Sequence, residues 1–377
     1  MKDYASMMLD LAYYSAIYGD KMMAYEVLKI ENEVHDLWSL VMMQTMLAAR
    51  SPEDAERMLS IIRVATSLEV VSNAAADIAY VATIFTRTPA VLAGALLESE
   101  ELVSRVEVGE KGDGLKLKDL VSFPRHADVL VVVRGHRWIM DPSLDLVLRK
   151  GDRLILRGTE EALRSIAEMV GYKLEVPVPG KREDLGEEGR RLTESLKWLK
   201  NIADVALDLA FYSVIYQDRS PAMEVLEIEE EVDSRVLALL PGIMDTKRLS
   251  GEEKACLSRI LNSLEEITDA AANMASIIVA NLPVHEVIEL AEEESSEIII
   301  KAVAKGLTTP VKLEDLGLDD IGAHVVAIKK ASGAWHPLPS PSIKVEDGDI
   351  LILKLYTEED EKLLQDLARK RLVVQEE

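Results

Sequence analysis

The stretch LDLAYYSAIYGDKMMAYEVLKIENEV, residues Leu9–Val34, recurs 198 positions later as LDLAFYSVIYQDRSPAMEVLEIEEEV, residues Leu207–Val232. Two further pairs of segments lie at offsets of 196 and 197: Ser67–Ala79 (SLEVVSNAAADIA) with Ser263–Ala275 (SLEEITDAAANMA), and Leu148–Leu156 (LRKGDRLIL) with Val345–Leu353 (VEDGDILIL). Near-constant offsets over three blocks predict one ancestral unit of about 190 residues that was duplicated whole.

The first part of each unit has the periodicity of helices. Apolar residues recur at steps of three and four, as in Leu9, Ala12, Tyr13 and Ala16. Helix starts are predicted where a capping serine precedes proline or acidic residues: at Ser51-Pro52, Ser220-Pro221 and Ser250-Gly251-Glu252-Glu253. Each unit therefore begins with about three long helices, enough for an antiparallel bundle.

The second part of each unit is predicted to form strands. Residues 101–109 and 297–306 alternate between apolar and polar, and short β-rich runs follow. Gly151-Asp152 and Gly348-Asp349 predict tight turns before a last strand, and a closing helix follows in each copy, with Thr159 as a cap in the first. Trp138 and Trp335 are expected to anchor the small cores of these domains.

The predicted fold class is α+β multidomain, with two helical bundles and two small α/β domains in tandem. The predicted boundaries are 1–90 for the first bundle, 91–173 for the first α/β domain, 174–191 for a linker, 192–283 for the second bundle and 284–372 for the second α/β domain.

Composition excludes several classes of function. The formal charge of −24 over 377 residues disfavours nucleic acid and anionic membrane surfaces as partners. The lone Cys256 excludes an intrachain disulfide or a cysteine-built metal cluster. No uncharged stretch reaches the roughly 18 residues of a membrane span, so a cytoplasmic protein without membrane insertion is expected. No nucleophile elbow or H-E-x-x-H motif is present, and an enzyme is not predicted.

Two families resemble these parts. LEVVSNAAADIA from Leu68 and LEEITDAAANMA from Leu264 resemble the PhoU helix LERIGDHAVNIA, and the acidic helix EVLEIEEEVD resembles its PhoU partner helix. PSLDLVLRKGDRLILRG from Pro142 and PSIKVEDGDILILKL from Pro341 resemble the Gly-Asp segment of the C-terminal domain of TrkA potassium-transport regulators, TrkA-C. The Gly-rich nucleotide fingerprint of the TrkA Rossmann half has no counterpart here.

Carboxylates on the helices are candidate metal ligands. Glu69, Asn73 and Asp77 lie at four-residue steps on one helix face, and Glu265, Asp269 and Asn273 are their counterparts. On the preceding helices Glu31 and His35 correspond to Glu229 and Asp233. The PhoU resemblance implies iron or zinc on such pairs, and hard cations such as Mg²⁺ accept the same ligands. A solvated helix face is the alternative.

The α/β domains carry candidate residues for an anionic effector. The basic residues near the strands are Arg134, His136, Arg137, Lys329, Lys330 and His336. The alternative is that they are ordinary edge-strand charges. Tyr14, Tyr18, Tyr212 and Tyr216 are expected to pack in the bundles with their hydroxyls at the bundle surface.

The resemblances together predict an archaeal-type regulator of potassium transport. Its TrkA-C domains would bind a nucleotide-like molecule or an ion, and its bundles would contact a membrane cation transporter or channel. A homodimer is expected, with the TrkA-C copies paired within one chain or swapped between chains. The alternatives are a PhoU-type metal-binding regulator of phosphate uptake and an enzyme that uses a carboxylate-bound metal pair.

Overall fold

The computed structural model describes residues 1–84, 89–97, 102–121, 127–135, 137–140, 142–172, 186–293, 298–318, 321–355 and 361–374. Three long helices open each half of the chain. They are α1 (Lys2–Tyr18), α2 (Lys21–Ala48) and α3 (Pro52–Ile84), then α7 (Gly186–Ile215), α8 (Arg219–Asp245) and α9 (Gly251–Val279). The helical parts are therefore formed as predicted.

Short helices and strands complete each half. The first half adds α4 (Ala90–Leu97), β1 (Leu102–Glu107), α5 (Leu117–Val121), β2 (Ala127–Arg134), β3 (Arg137–Met140), β4 (Arg153–Gly158) and α6 (Glu160–Met169). The second adds α10 (Val287–Glu293), β5 (Ile298–Ala304), β6 (Val311–Lys312), β7 (Ala323–Lys329), β8 (Trp335–Pro337), β9 (Lys344–Val345), β10 (Ile350–Leu355), α11 (Glu361–Arg369) and β11 (Leu372–Val374).

The two main sheets are antiparallel and share one strand order. The first runs β1-β4-β2-β3, and the second runs β11-β5-β10-β7-β8, which repeats that order with β11 added at one edge. Strands β6 and β9 form a separate pair. The fold is thus α+β, with helical bundles and separate sheets.

Helix ends follow local capping chemistry. Asp20 caps α2 by accepting from the backbone N–H groups of Met22 and Met23, and Ser250 and Glu253 form a reciprocal capping box on α9. Thr159 caps α6 as predicted. Helix α8 opens at Ser220-Pro221 to within one residue, but its cap is Asp218 and not Ser220, since the Asp218 carboxylate accepts from the backbone N–H of Ser220.

The predicted linker is too long at its C-terminal end. Helix α7 begins at Gly186, so the last residues of the range 174–191 are helical. Glu187 and Glu188 in the first turn of α7 favour this start because they face the positive end of the helix dipole.

Both bundles share one hydrophobic core, because α3 and α9 pack against each other across the two halves. This core also takes one face of each sheet, including Val131 of β2 and Val326 of β7. The opposite face of each sheet packs on its own helix, with Leu163 of α6 in one small core and Leu367 of α11 in the other. A sheet covered on both faces is held between the bundle and its own helix.

Helix α3 is long and apolar enough to cross a membrane, judged by length and composition alone. Its most apolar 18-residue window has a mean hydropathy of 1.2, and 44% of that window is buried within the protein. In the bundle α3 packs against α1, α2 and α9. The core helix of a bundle has this composition as well, and the absence of membrane insertion stays a prediction.

Candidate functional site

Helices α8 and α9 bring an acidic cluster together in the second bundle. One carboxylate oxygen from each of Glu229, Asp233 and Asp269 lies within 4.8 Å of the others. Glu229 and Asp233 are one turn apart on α8, and Asp269 faces them from α9. Oδ1 of Asp233 is buried and has no hydrogen-bond partner among the described residues. We call these three residues the α8–α9 carboxylate cluster.

The carboxylates of this cluster repel one another. Burial, then repulsion by Asp233 and Asp269, raise the pKa of Glu229. Burial and the charge of Asp233 likewise raise the pKa of Asp269. Burial, and then the charges of Asp233 and Asp269, raise the pKa of Glu265. Crowded carboxylates with raised pKa values prefer a proton or a cation to mutual repulsion.

The equivalent position in the first bundle carries fewer carboxylates. His35 replaces Asp233, and its Nδ1 lies 2.8 Å from Oε1 of Glu69, the counterpart of Glu265. Glu31 lies half-buried one turn before His35 on α2, and Asn73 replaces Asp269. Because Glu69 already contacts His35 and Asn73 is uncharged, this half offers a cation fewer carboxylate oxygens than the α8–α9 carboxylate cluster.

Asp77 is directed away from the other predicted ligands of its copy. Its Oδ1 accepts a 2.6 Å hydrogen bond from Nη2 of Arg259 on α9. The Arg259 guanidinium also lies 4.8 Å from the ring centroid of Tyr80 on α3. In the reverse direction, Arg63 of α3 donates to the hydroxyl of Ser276 on α9. Arg63 and Arg259 are related by the offset of 196, as are Tyr80 and Ser276. Asp77 therefore belongs to a pseudo-symmetric seam between the bundles.

Two of the predicted effector residues are held in ion pairs with buried aspartates. Arg134 donates from Nε and Nη2 to the carboxylate of Asp152, at 2.9 and 2.6 Å, and Asp152 is 2% exposed. Lys330 makes the equivalent pair with Asp349, which is fully buried. These are the aspartates of the Gly-Asp segments, so the two cations hold the turns that precede β4 and β10.

The other predicted effector residues occupy less constrained positions. Nζ of Lys329 donates to Oγ of Ser220 at 2.6 Å and lies 5.5 Å from the ring centroid of Trp335. Arg137 on β3 and His336 on β8 are exposed. His136 lies outside the described residues. Anion binding by this set stays a prediction.

Each sheet is anchored to the bundle by contacts that the two halves share. The Tyr18 hydroxyl donates to the carbonyl of Val103 at 3.4 Å, and the Tyr216 hydroxyl donates to the carbonyl of Ile299 at 3.1 Å. These two hydroxyls therefore lie on the face of the bundle that the sheet covers. Tyr14, stacked on Tyr18, is fully buried, and so is Tyr212.

A basic residue of the last sheet strand adds a second anchor in each half. Arg157 of β4 is 4% exposed and donates to Asp10 of α1 at 2.6 Å. Lys354 of β10 reaches Asp208 of α7 at 3.4 Å. Sequence reasoning missed these pairs, although both occur at the repeat offsets (157 with 354, 10 with 208) and the alignment of the halves contained that signal.

Both tryptophans of the sheet domains also help to attach the sheets to the bundle. Trp138 and Trp335 pack against the shared bundle core, which corrects the prediction that they anchor the small cores. The indole N–H of Trp335 donates to Oγ of Ser220 at 3.1 Å. Ser220 thus contacts the sheet domain rather than capping α8.

Comparison with known families agrees with this architecture. The PhoU domain family matches residues 1–82 and 196–278, which are the two three-helix parts, and the TrkA-C domain family matches residues 103–171. The chain combines PhoU domains with a TrkA-C domain. Both are regulatory domains rather than enzyme families. The second sheet domain has the strand order of the TrkA-C domain.

Three solved structures share a weak likeness with the chain: the crystal structure of the GsuK RCK domain, the GsuK channel, and the GsuK channel bound to NAD. Each is 12% identical over 82% of this chain with a TM-score of 0.19, covering 79% of the RCK domain chain and 66% of each channel chain. A TM-score of 0.19 is too low to indicate a shared fold. No curated protein matches the chain.

Proposed function

We propose that this protein regulates transmembrane potassium transport. The TrkA-C domain and its counterpart in the second half bind a small effector, and the PhoU domains pass the resulting change to a cation transporter or channel. The TrkA-C and PhoU matches support this proposal. The structural observation behind it is that Tyr18 and Tyr216 tie the two sheets to the bundle core by equivalent contacts.

The anchors favour transmission of a structural change from sheet to bundle, because they join the two directly. Arg157 joins Asp10 of α1 to Asp128 of β2 through one almost fully buried guanidinium. A shift of the sheet that an effector stabilises must therefore either move α1 or break this pair. Regulation requires that the effector bind the two arrangements with different affinity.

A ligand screen tests the effector half of the proposal. Nucleotides, cyclic dinucleotides and monovalent cations are added to the purified protein, and the midpoint of thermal unfolding is measured. A ligand that binds only the folded state raises that midpoint. Replacement of the exposed Arg137 and His336 by Ala is expected to reduce the rise. Failure of every compound to shift the midpoint would count against effector binding.

Transport in the native host tests the regulatory half. Deletion of the gene is expected to change rubidium uptake, a proxy for potassium, and to leave phosphate uptake unchanged. Wild-type protein should restore rubidium uptake, as should Arg164→Met, which removes an exposed pair with Glu160, whereas Arg157→Met should not. A change confined to phosphate uptake would contradict the potassium proposal and favour a PhoU-type regulator of phosphate uptake.

The α8–α9 carboxylate cluster supports a second function, binding of a divalent metal. Three carboxylates within 4.8 Å, one with a buried unpartnered oxygen, fit the oxygen-donor preference of Mg²⁺ and are acceptable to iron or zinc. A bound cation would offset the repulsion that raises the pKa values of Glu229 and Asp269. The chemistry supplied would be charge neutralisation and cross-linking of α8 to α9.

Calorimetric titration with Mg²⁺, Zn²⁺ and Fe²⁺ tests this site. Asp233→Asn is expected to weaken binding at least tenfold, because it removes one charged ligand from the centre of the cluster. Asp36→Asn is the matched control, since Asp36 is exposed and follows the first-bundle counterpart His35. Equal affinity in the two variants would reject the cluster as the site. The expected homodimer is checked separately by light scattering of the eluted protein.

A further inference from the structure

An open cleft at the surface of the second bundle, next to α4, is used by neither the carboxylate cluster nor the anchors, and we call this cleft the cavity. Its volume is about 460 Å³, and its walls come from the first turns of α7, the last turns of α8, the connection from Thr246 to Leu249, and Val91 of α4. Pockets for small molecules in proteins are commonly about 300–1,000 Å³. The cavity therefore has room for one compact organic molecule.

The lining selects an apolar occupant over an ionic one. Its larger apolar side chains are those of Val91, Leu192, Leu239, Ile243 and Leu249. Among its charged side chains, Glu187 pairs with Arg191, and the Glu253 carboxylate accepts from the backbone N–H of Ser250. With three carboxylates against two guanidinium groups in the lining, the site has little net charge to attract an ion.

The wall formed by α8 departs from helix-forming sequence at the cavity. Pro241 lies inside this helix, followed by Gly242, and these are the two residues least favourable in a helix interior. Equivalent positions in α2 hold Met43 and Gln44, which are good helix formers, so the bundle architecture does not require the pair. Gly242 lines the cavity, and a Cβ added there would meet nothing within 4 Å.

We propose that this cavity binds a neutral, mostly apolar small molecule, and that Gly242 keeps its wall open. Local departures from helix propensity of this kind are typical of functional positions in natural proteins. The site is independent of the proposed potassium regulation, because it uses neither the sheet domains nor the carboxylate cluster. The lining also holds the hydroxyl groups of Ser195 and Thr246, which can orient a single polar group on the molecule; the Thr246 oxygen accepts from the backbone N–H of Arg248 and keeps its own proton to donate.

Binding of N-phenyl-1-naphthylamine, a neutral apolar dye that fluoresces in apolar surroundings, tests the proposal. Saturable binding to one site per chain is expected for the full-length protein. Gly242→Leu should weaken binding more than about tenfold because its side chain fills the cavity, while the thermal midpoint should not fall, since leucine is the better helix former. Gly251→Leu is the matched control: its added Cβ also meets nothing within 4 Å, but Gly251 does not line the cavity.

A second variant fills the cavity from the opposite wall. Ser195→Phe on α7 should weaken dye binding as Gly242→Leu does, which separates occupancy of the cavity from a local effect on α8. Circular dichroism of each variant confirms that it is folded. The proposal is overturned if the wild-type protein shows no saturable binding, or if either folded filling variant binds the dye as tightly as Gly251→Leu.

Discussion

Replacing Arg157 by methionine is expected to lower the free energy of unfolding by about 3 kcal/mol. The guanidinium is 4% exposed and joins two carboxylates from different parts of the fold, Asp10 on α1 at 2.6 Å and Asp128 on β2 at 2.9 Å. Methionine keeps most of the apolar stem, so the loss reports on the charged end rather than on packing.

The magnitude follows from the burial of the three groups. Loss of one partner from a buried ion pair costs about 3–5 kcal/mol because the remaining charge is left uncompensated. The Asp10 and Asp128 side chains are 19% and 35% exposed and regain part of their hydration, which places the expected loss at the low end of that range.

Urea unfolding followed by tryptophan fluorescence measures this loss. Arg164→Met is the control, because Arg164 and Glu160 form an exposed pair on α6, and its loss should be about 0.5 kcal/mol or less. A double-mutant cycle with Asp10→Asn isolates the coupling between the two side chains, expected at about 1–3 kcal/mol. The reasoning is refuted if Arg157→Met costs no more than Arg164→Met, or if the coupling to Asp10 is zero.

Three further outcomes are expected. Because folding raises the pKa values of Glu229 and Asp269, the folded state binds protons more tightly than the unfolded chain. Metal-free stability should therefore rise as the pH falls from 7 toward the carboxyl range, and Asp233→Asn should flatten this rise; an unchanged pH profile would contradict the repulsion. Ser250→Ala removes the capping box of α9 and should lower the free energy of unfolding in urea by about 1 kcal/mol. An unchanged free energy of unfolding would contradict a stabilising role for the box. Tyr216→Phe should cost about 1 kcal/mol and accelerate amide hydrogen exchange in β5, and unchanged exchange there would argue against anchoring by the hydroxyl.

Much of the fold was predictable because its signals are local. Apolar residues at helical spacing predicted the six long helices, and Thr159 and Ser250 were correctly read as caps. Ser220 shows the limit of this reasoning. Serine before proline has the right chemistry for a cap, but Asp218 takes that role and leaves the Ser220 hydroxyl to Lys329 and Trp335 of the sheet domain.

The candidate metal site was predictable in part. Four-residue spacing places Glu229 above Asp233 on one face of α8, and the repeat pointed to Asp269 on the neighbouring helix. The same spacing placed Asp77 in the first-copy set, yet this residue pairs with Arg259 of the other bundle. Spacing along one helix says which residues share a face, and it does not say which neighbouring helix that face meets.

From the amino-acid sequence, the similarity of the two halves, the change from long helices to strands in each half, and the lack of a Gly-rich nucleotide fingerprint could be predicted. These follow from periodicity and spacing along the chain, which depend on residues a few positions apart. The packing of α3 against α9 into one core, and the contacts of Arg157 and Tyr216 that hold the sheets to it, are visible only in the folded chain. Such contacts join residues that are far apart in the chain, and which of them meet is settled only when the helices pack and bury their faces together.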